Sequence, residues 1–137
     1  MIVYCAGAIK GDSSFKDNYR EIIDIVKKNN HSALSELNPD FQSAFPLNEH
    51  QIFQRDIKWI EKSNMMIAEV SGPSIGVGFE IAYALYVREI PVLALYNLEV
   101  EKVSSMVIGC NSTLLYTKKY NNSGELNDII KRFLNQS

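Results

Sequence analysis

One glutamate, Glu80, is the only charged residue in the run SGPSIGVGFEIAYAL, residues 71–85. The residues on either side of it are apolar. A carboxylate held in a partly apolar cleft can act as a nucleophile or as a general base. The simpler interpretation is a surface glutamate on a mostly buried helix, which is the commoner situation for a glutamate taken at random. The sequence thus offers Glu80 as a candidate for covalent or acid–base chemistry.

Two glycines, Gly76 and Gly78, precede Glu80 within the helix that the pattern predicts from about residue 74 or 75 to 85. Glycine inside a helix weakens it by roughly 1 kcal/mol relative to alanine, so two of them call for a reason. Close approach of a substrate would be such a reason. The N-terminus of this helix would present free amide groups to an anion, and Ser74 would add a hydroxyl donor. An anionic group is therefore expected near Glu80.

The elements that must position these residues alternate along the chain. Short apolar runs predict strands at 2–7, 31–37, 65–70, 90–96 and 112–117, and amphipathic spacing predicts helices at 14–30, 49–64, 75–85 and 125–136. Ser13 or Ser14 could cap the first of these helices. This alternation predicts one α/β domain over residues 1–137, a flavodoxin-like or Rossmann-like three-layer α/β/α fold with a five-stranded parallel sheet of order 2-1-3-4-5.

Ligands bind to such folds at the carboxyl ends of the strands, near the switch between strands one and three. The two strands there lead into the segments CAGAIKG, residues 5–11, and AEVSGPSIGVGFE, residues 68–80. Neither segment has the glycine spacing of a dinucleotide-binding fingerprint or of a P-loop. The familiar nucleotide-binding loops are therefore disfavoured.

Composition narrows the classes of function further. The chain has 137 residues, a formal net charge of -2 and 14 scattered basic residues, which argues against nucleic acid as a partner. No apolar run approaches the roughly 20 residues of a membrane span, and residues 1–11 lack the features of a signal peptide. A soluble, cytoplasmic protein is expected, without membrane partners. Cys5 and Cys110 have no metal-ligand spacing around them, so no metal, cofactor or disulfide is expected.

Two segments of the chain resemble a known family. YCAGAIKG, residues 4–11, and DIKWIEKSNMMIAEVSGPSIGVGFEIAYAL, residues 56–85, are similar to the nucleoside 2-deoxyribosyltransferase family, most closely to its branch of 2'-deoxynucleoside 5'-phosphate N-hydrolases. The short stretch VSSM, residues 103–106, is a weaker part of the same match. The resemblance implies an enzyme that cleaves the N-glycosidic bond of a small-molecule nucleotide.

The resemblance also implies catalytic roles. Glu80 would attack C1' of the sugar and form a glycosyl-enzyme ester, Asp56 would be an orienting group or a proton donor, and Tyr4 would hydrogen-bond the Glu80 carboxylate. Taken alone, Asp56 would be a solvated or capping aspartate and Tyr4 a core tyrosine. Glu69 is a further carboxylate in this region, for which a structural role bonding loop amides is expected.

The same resemblance implies a set of substrate-binding residues in a homodimer, with Ser104 contributed across the interface. The set consists of Gly7, Ala8, Ile9, Lys10, Gly11, Ser74, Gly76, Gly78 and Ser104. Family members that act on unphosphorylated nucleosides tend to carry an aspartate where this chain has Ser74, and a carboxylate there would repel a phosphate. The serine therefore favours a nucleotide, although Ala8 stands where relatives often have a serine.

Two other functions are compatible with the sequence. One is base exchange between deoxynucleosides, and the other is a non-catalytic nucleotide-binding module. The preferred base cannot be predicted, because residues 37–49, which approach the base in the family that the chain resembles, contain no motif that identifies it. The choice between ribose and 2'-deoxyribose is also open, because the resemblance includes enzymes that act on ribonucleotides with much the same carboxylate arrangement.

Overall fold

A parallel sheet dominates the computed structural model, which describes residues 1–9 and 14–136. Within those residues the sheet has five strands in the order β2-β1-β3-β4-β5, so the predicted order is confirmed. The strands are β1 (Ile2–Gly7), β2 (Ser32–Leu34), β3 (Met65–Glu69), β4 (Val92–Asn97) and β5 (Leu115–Tyr120). The helices are α1 (Lys16–Lys28), α2 (Glu49–Lys62), α3 (Ile75–Tyr86), α4 (Ser105–Ile108) and α5 (Ser123–Leu134), with a 3₁₀ turn at Pro39–Phe41.

Helices cover both faces of the sheet, as the three-layer prediction requires. Side chains alternate between the faces of a strand, so neighbouring residues of β1 enter different cores. Val3 and Cys5 pack with α1 and α5, whereas Tyr4 and Ala6 pack with residues of α2 and α3. Tyr4 therefore points towards the layer that carries α3.

The register of the central strands brings the two segments of interest together. Gly7, the last residue of β1, lies opposite Glu69, the last residue of β3. The loops that follow both strands consequently leave the sheet side by side. Among the described residues, no helix is both long enough and apolar enough to cross a bilayer.

The largest differences from the predicted boundaries are in β5 and β2. β5 lies at Leu115–Tyr120 instead of 112–117, because Ser112 forms a turn whose side chain accepts a hydrogen bond from the Leu114 amide at 3.2 Å. The strand then continues through exposed lysines, which are typical of a sheet edge. β2 is shorter than predicted, and the 103–109 region contains the unpredicted helix α4.

Ser14, one of the two serines that could cap α1, is not its N-cap residue. The helix begins at Lys16, and Phe15 occupies the N-cap position, where its side chain makes no capping hydrogen bond to the described part of the chain. Ser13 lies outside the described residues.

Candidate active site

The centre of the site is a hydrogen bond between two residues that are 76 positions apart. The Tyr4 hydroxyl, from β1, donates to Oε2 of Glu80, from α3. Val77, Ile81, Ala84 and Leu85 fix the helix by packing against the sheet. Glu80 lies on the flank of that buried face, and Tyr4 is 4% exposed beneath it. The structure thus brings together two of the three predicted catalytic residues in direct contact.

The third predicted residue, Asp56, approaches the same carboxylate from α2. Its side chain is only 16% exposed, and Asp56 is the carboxylate that contributes most to raising the pKa of Glu80. Arg55, the preceding residue, donates from Nε to Asp56 Oδ1 at 3.0 Å. Two carboxyl groups, a phenol and a guanidinium therefore share one cluster.

The cluster perturbs the ionisation of Glu80. Burial raises the pKa of Glu80 to about 8; the Tyr4 hydrogen bond acts in the opposite direction, and Asp56 adds to the increase. Burial, followed by the charges of Glu80 and Asp56, raises the pKa of Tyr4 well above its ordinary value, so Tyr4 stays protonated and remains a donor. A carboxyl group that changes charge near neutral pH, held by a fixed donor, is suited to nucleophilic or acid–base chemistry.

The N-terminus of α3 lies about one and a half turns before Glu80. Ser74 is its N-cap, and the Ser74 hydroxyl accepts from the Val77 amide at 3.2 Å, which leaves its own proton available for another acceptor. A Cβ added to Gly78 would meet no atom of the described chain within 4 Å, and one added to Gly76 would meet only the Ser74 hydroxyl at 4.0 Å. Packing within the described chain does not require either glycine, so both leave open space above the start of the helix.

Gly7, by contrast, is required by packing. A Cβ at this position would lie 2.6 Å from the Tyr19 ring, so only glycine allows that ring to cover the end of β1. Tyr19 in turn donates to the Cys5 carbonyl at 2.8 Å. Ala8 is buried and Ile9 half-buried after the strand, whereas Lys10 and Gly11 lie outside the described residues.

Ser104 lies in the same chain on a separate concave surface. A cavity of about 590 Å³ between α3 and α4 is lined by Ser74, Ser104, Met106 and Tyr86, among others. Of the predicted catalytic residues, all three of which are described, none lines it. The structure therefore places Ser104 near Ser74 within one chain and apart from the carboxylate cluster.

Glu69 has the structural role that was expected for it. It is 2% exposed, its Oε1 accepts from the Ser71 amide at 2.5 Å, and its Oε2 accepts from the Tyr120 hydroxyl. Burial raises the pKa of Glu69. These bonds fix the loop between β3 and α3, and through it the direction in which α3 starts.

Sequence reasoning missed Arg55 and Glu36 as parts of the site. Arg55 Nη2 lies 3.5 Å from Glu36 Oε2, and Glu36 comes from the segment after β2. Arg55 immediately precedes Asp56 in the matched region, but adjacent helical residues do not normally face each other. One feature of the sequence could have indicated a fixed Arg55: Trp59 follows four residues later. Residues at this spacing are neighbours on a helix, so the guanidinium can pack on the aromatic ring.

A doubly wound α/β domain that holds a tyrosine-bound glutamate next to a second carboxylate, at the carboxyl ends of its strands, has the site of a carboxylate-dependent enzyme. The family model for nucleoside 2-deoxyribosyltransferase matches residues 3–114. The chain belongs to that family, and the prediction that it is an enzyme of this family is confirmed.

Three similar proteins illustrate the match. The "Putative 2'-deoxynucleoside 5'-phosphate N-hydrolase 1" of Methanosarcina mazei is 38% identical over 135 residues, covering 96% of this chain and 83% of the relative. The 5-hydroxymethyl-dUMP N-hydrolase of Esox lucius is 28% identical over 139 residues, covering 97% and 95%. The solved structure of a CMP N-glycosidase from Clostridium botulinum has a TM-score of 0.69 at 18% identity, covering 96% and 98%, which establishes the shared fold.

Proposed function

We propose that this chain hydrolyses the N-glycosidic bond of (2'-deoxy)nucleoside 5'-monophosphates, releasing the free base and the (deoxy)ribose 5-phosphate. The observation that carries the proposal is the Glu80 carboxylate, held by Tyr4 and flanked by Asp56. The names of the relatives, which are N-hydrolases of deoxynucleoside 5'-phosphates and of 5-hydroxymethyl-dUMP, support the reaction and the phosphate.

In the first step, a Glu80 oxygen forms a bond to C1' while the bond from C1' to the base nitrogen breaks. The bonding electrons leave with the base, which takes a proton from Asp56 or, where Asp56 only orients the substrate, from water. Tyr4 occupies Oε2, which leaves Oε1 for the attack. A carboxylate stabilises or traps the oxocarbenium-like transition state, as in retaining glycosidases.

In the second step, a water oxygen attacks C1' and the ester bond to Glu80 breaks. The electron pair returns to the Glu80 carboxylate, and the proton of the water passes to Asp56. Where Asp56 donated the proton in the first step, each group is thereby restored to its starting state, and Asp56 has acted first as an acid and then as a base. Where water donated it, Asp56 passes its new proton to the hydroxide that the first step left.

The start of α3 is the proposed subsite for the 5'-phosphate. Ser74 can donate its hydroxyl proton to a phosphate oxygen while still accepting from Val77. The amide groups of the first turn and the positive end of the helix dipole favour a dianion there. The Gly7–Gly11 loop is the proposed second side of this subsite.

A homodimer is proposed as the active form. Ile75, Phe79 and Tyr86 form an exposed stripe along α3, with Ile75 96% exposed, and Met106 and Ile108 are exposed on α4. An exposed apolar surface of this extent is typical of a subunit interface. Ser104, at the N-cap of α4, would then reach the partner's site.

The first test is chromatography of reactions with purified protein, using all common deoxyribo- and ribonucleoside monophosphates and the matching nucleosides, with and without added adenine. We expect free base from a monophosphate, loss of that activity in Glu80→Gln, and no effect of adenine. Glu61→Gln is the matched control, since Glu61 also accepts from a tyrosine, Tyr83, but on the exposed side of α3.

Other outcomes would replace the proposal. Transfer of the sugar to adenine would assign base exchange, the activity for which the family model is named. Release of base only from unphosphorylated nucleosides would contradict the phosphate subsite. Binding of nucleotides without turnover, unchanged in Glu80→Gln, would assign a binding module.

A further inference from the structure

Arg55 is held by three different partners. Its Nε donates to Asp56 Oδ1 at 3.0 Å, and its Nη2 lies 3.5 Å from Glu36 Oε2. Its guanidinium carbon lies 4.8 Å from the centre of the Trp59 ring, which Phe41 contacts edge-on. The side chain is 19% exposed. These contacts fix both the position and the plane of the guanidinium.

This arrangement differs from an ordinary surface ion pair. Arg20 and Asp17, three residues apart on α1, also form a pair, but their side chains are 54% and 94% exposed. Arg55 and Asp56 are adjacent on α2, where successive side chains diverge by about 100°. The Arg55 guanidinium can bond to Asp56 because its contacts with Trp59 and Glu36 keep it close to the surface of α2. The Arg55–Asp56 ion pair therefore depends on residues outside the pair.

The contact with Arg55 uses one of the two carboxylate oxygens of Asp56. Arg55 occupies Oδ1, and Oδ2 remains for Glu80 or for a substrate. A carboxylate whose rotation is blocked on one side presents a fixed oxygen on the other, as second-sphere hydrogen bonds do for metal ligands and catalytic histidines.

The contact also balances charge in a crowded cluster. Titratable groups face one another here from every surrounding element: Tyr4 of β1, Tyr19 of α1, Glu36 after β2, Arg55 and Asp56 of α2, and Glu80 of α3. Neighbouring carboxylates oppose each other's ionisation, and an adjacent cation favours it. Burial alone would lower the pKa of Arg55, but the hydrogen bond and charge of Asp56, with Glu36, raise it overall.

We propose that Arg55 is a positioning residue, which fixes the Asp56 carboxylate in the cluster with Tyr4 and Glu80 and balances its negative charge there. Its effect on turnover rests on the proposed function. Its effect on the ionisation of Glu80 does not, so the two can be tested separately.

The electrostatic test needs no substrate. The protein is labelled with glutamate carrying ¹³C at the carboxyl carbon, the Glu80 resonance is identified by its loss in Glu80→Gln, and its shift is followed against pH. In Arg55→Gln, the titration midpoint of Glu80 should move up by about one pH unit or more, because the charge of Asp56, which raises the pKa of Glu80, would lose its balancing cation. Arg55→Lys keeps the charge and should move it by less than half as much.

Arg88→Gln is the matched control. Arg88 is 28% exposed and donates to the carbonyls of Ile60 and Ser63, away from the carboxylate cluster, and its replacement should leave the midpoint in place. An unchanged midpoint in Arg55→Gln, or an equal shift in Arg88→Gln, would overturn the electrostatic part of the proposal.

The kinetic test separates orientation from charge. Arg55→Lys should lower kcat at least tenfold with KM changed less than threefold, because lysine lacks the planar fork that fixes Asp56. A wild-type kcat in Arg55→Lys would overturn the positioning role, and this variant decides the question if Arg55→Gln does not fold. A wild-type protein without N-glycosidase turnover would instead refute the proposed function, while the titration would still decide the role of Arg55.

Discussion

At the scale of single residues, the bond between Tyr4 and Glu80 has two internal counterparts. Within the described residues, tyrosine hydroxyls also donate to Glu69, from Tyr120, and to Glu61, from Tyr83. Burial raises the pKa of both Glu69 and Glu80, but of these two only Glu80 has another carboxylate, Asp56, among the causes of the increase. The three pairs therefore compare the same bond in the candidate active site, in a buried structural setting and in an exposed setting.

Replacing Tyr4 by phenylalanine should slow the reaction most at neutral and acidic pH. The Tyr4 hydrogen bond lowers the pKa of Glu80 against the effect of burial, so its loss should raise that pKa further. A hydrogen bond to a charged group contributes about 1.5–3 kcal/mol, which corresponds to a shift of about one to two pH units in the acidic limb of the kcat/KM profile.

The profile is measured for Tyr4→Phe beside Tyr83→Phe and Tyr120→Phe. Tyr83→Phe, which removes the exposed bond to Glu61, should leave the rate and its pH profile unchanged. Tyr120→Phe, which removes the buried bond to Glu69, should change thermal stability without moving the acidic limb of the profile. An acidic limb that stays in place in Tyr4→Phe would show that Tyr4 does not control the ionisation of Glu80.

Glu80 should also destabilise the folded chain at alkaline pH. Its folded pKa of about 8 lies above the ordinary 4.5. The folded state thus holds a proton that the unfolded state has lost, and stability falls as pH rises from about 4.5 through 8. Glu80→Gln removes this dependence, and should be more stable than the wild type by at least about 1 kcal/mol at pH 9, given about 1.4 kcal/mol for a pKa difference of one.

Urea denaturation of both proteins at pH 5 and pH 9 checks this expectation. The advantage of Glu80→Gln should shrink at pH 5. Glu61→Gln serves as the control and should show no such difference between the two pH values. If Glu80→Gln were more stable than the wild type by the same amount at both pH values, the difference would come from packing and not from the charge of Glu80.

At the scale of elements, α3 combines a buried face, a capped N-terminus and the candidate nucleophile. Val77, Ile81 and Leu85 anchor it to the sheet, while Gly76 and Gly78 leave its first turn uncovered. The helix thus gives up intrinsic stability where the proposed phosphate subsite lies. Such local conflicts between propensity and structure are typical of functional sites.

Replacing Gly78 by alanine should therefore separate stability from binding. The new Cβ meets no described atom within 4 Å, so we expect the fold to gain up to about 1 kcal/mol from helix propensity. If substrate approaches this turn, KM for the nucleotide should rise at least tenfold. Denaturation curves and steady-state kinetics give both values, and a stabilised variant with unchanged KM would remove Gly78 from the binding set.

Much of the architecture could be predicted because the strands are continuous apolar runs between amphipathic helices. The predictions of elements failed where the hydrophobic pattern along the chain does not reflect how the element packs in the fold. β5 is an edge strand whose exposed lysines interrupt the apolar run, and α4 is a single turn with little periodicity. Phe53 belongs to the apolar spacing from which α2 is predicted, yet its side chain is 53% exposed and pairs edge-on with Phe79.

The site was predicted unevenly for the same reason. Glu80 is conspicuous because it interrupts an uncharged helix, and Tyr4 and Asp56 were identified through resemblance to the family. Arg55 was missed because its role depends on Glu36, a residue of another element that no spacing along the chain relates to it. Glu69 could be assigned correctly because its partner, the Ser71 amide, is only two residues away.

At the scale of the whole molecule, the exposed stripe of α3 and the apolar tip of α4 adjoin the cavity that contains both Ser74 and Ser104. In the single chain, these two serines already line one surface. Ser104 can contribute to the site of its own chain or to the site of the partner. A homodimer of a single variant carries the substitution in both subunits, so it cannot distinguish the two arrangements.

Mixed dimers can answer it. Glu80→Gln and Ser104→Ala subunits are each expected to have low activity alone. If Ser104 acts across the interface, a mixed dimer contains one intact site, built from the Glu80 of one subunit and the Ser104 of the other. Each mixed dimer should then have about half the activity of a wild-type dimer. Random reassociation of equal amounts makes about half of the dimers mixed, so the refolded mixture should recover about a quarter of the wild-type activity. No recovery would place Ser104 in its own chain's site.

The 76 positions between Tyr4 and Glu80 also have a consequence for how the molecule forms. The hydrogen bond that prepares the carboxylate cannot exist until β1 has paired with β3 and α3 has docked on the same face of the sheet. Contacts between distant parts of a chain form late because the intervening loop must be closed first. Recovery of activity during refolding should thus lag behind recovery of helical signal, and no fragment that ends before α3 can carry a prepared site.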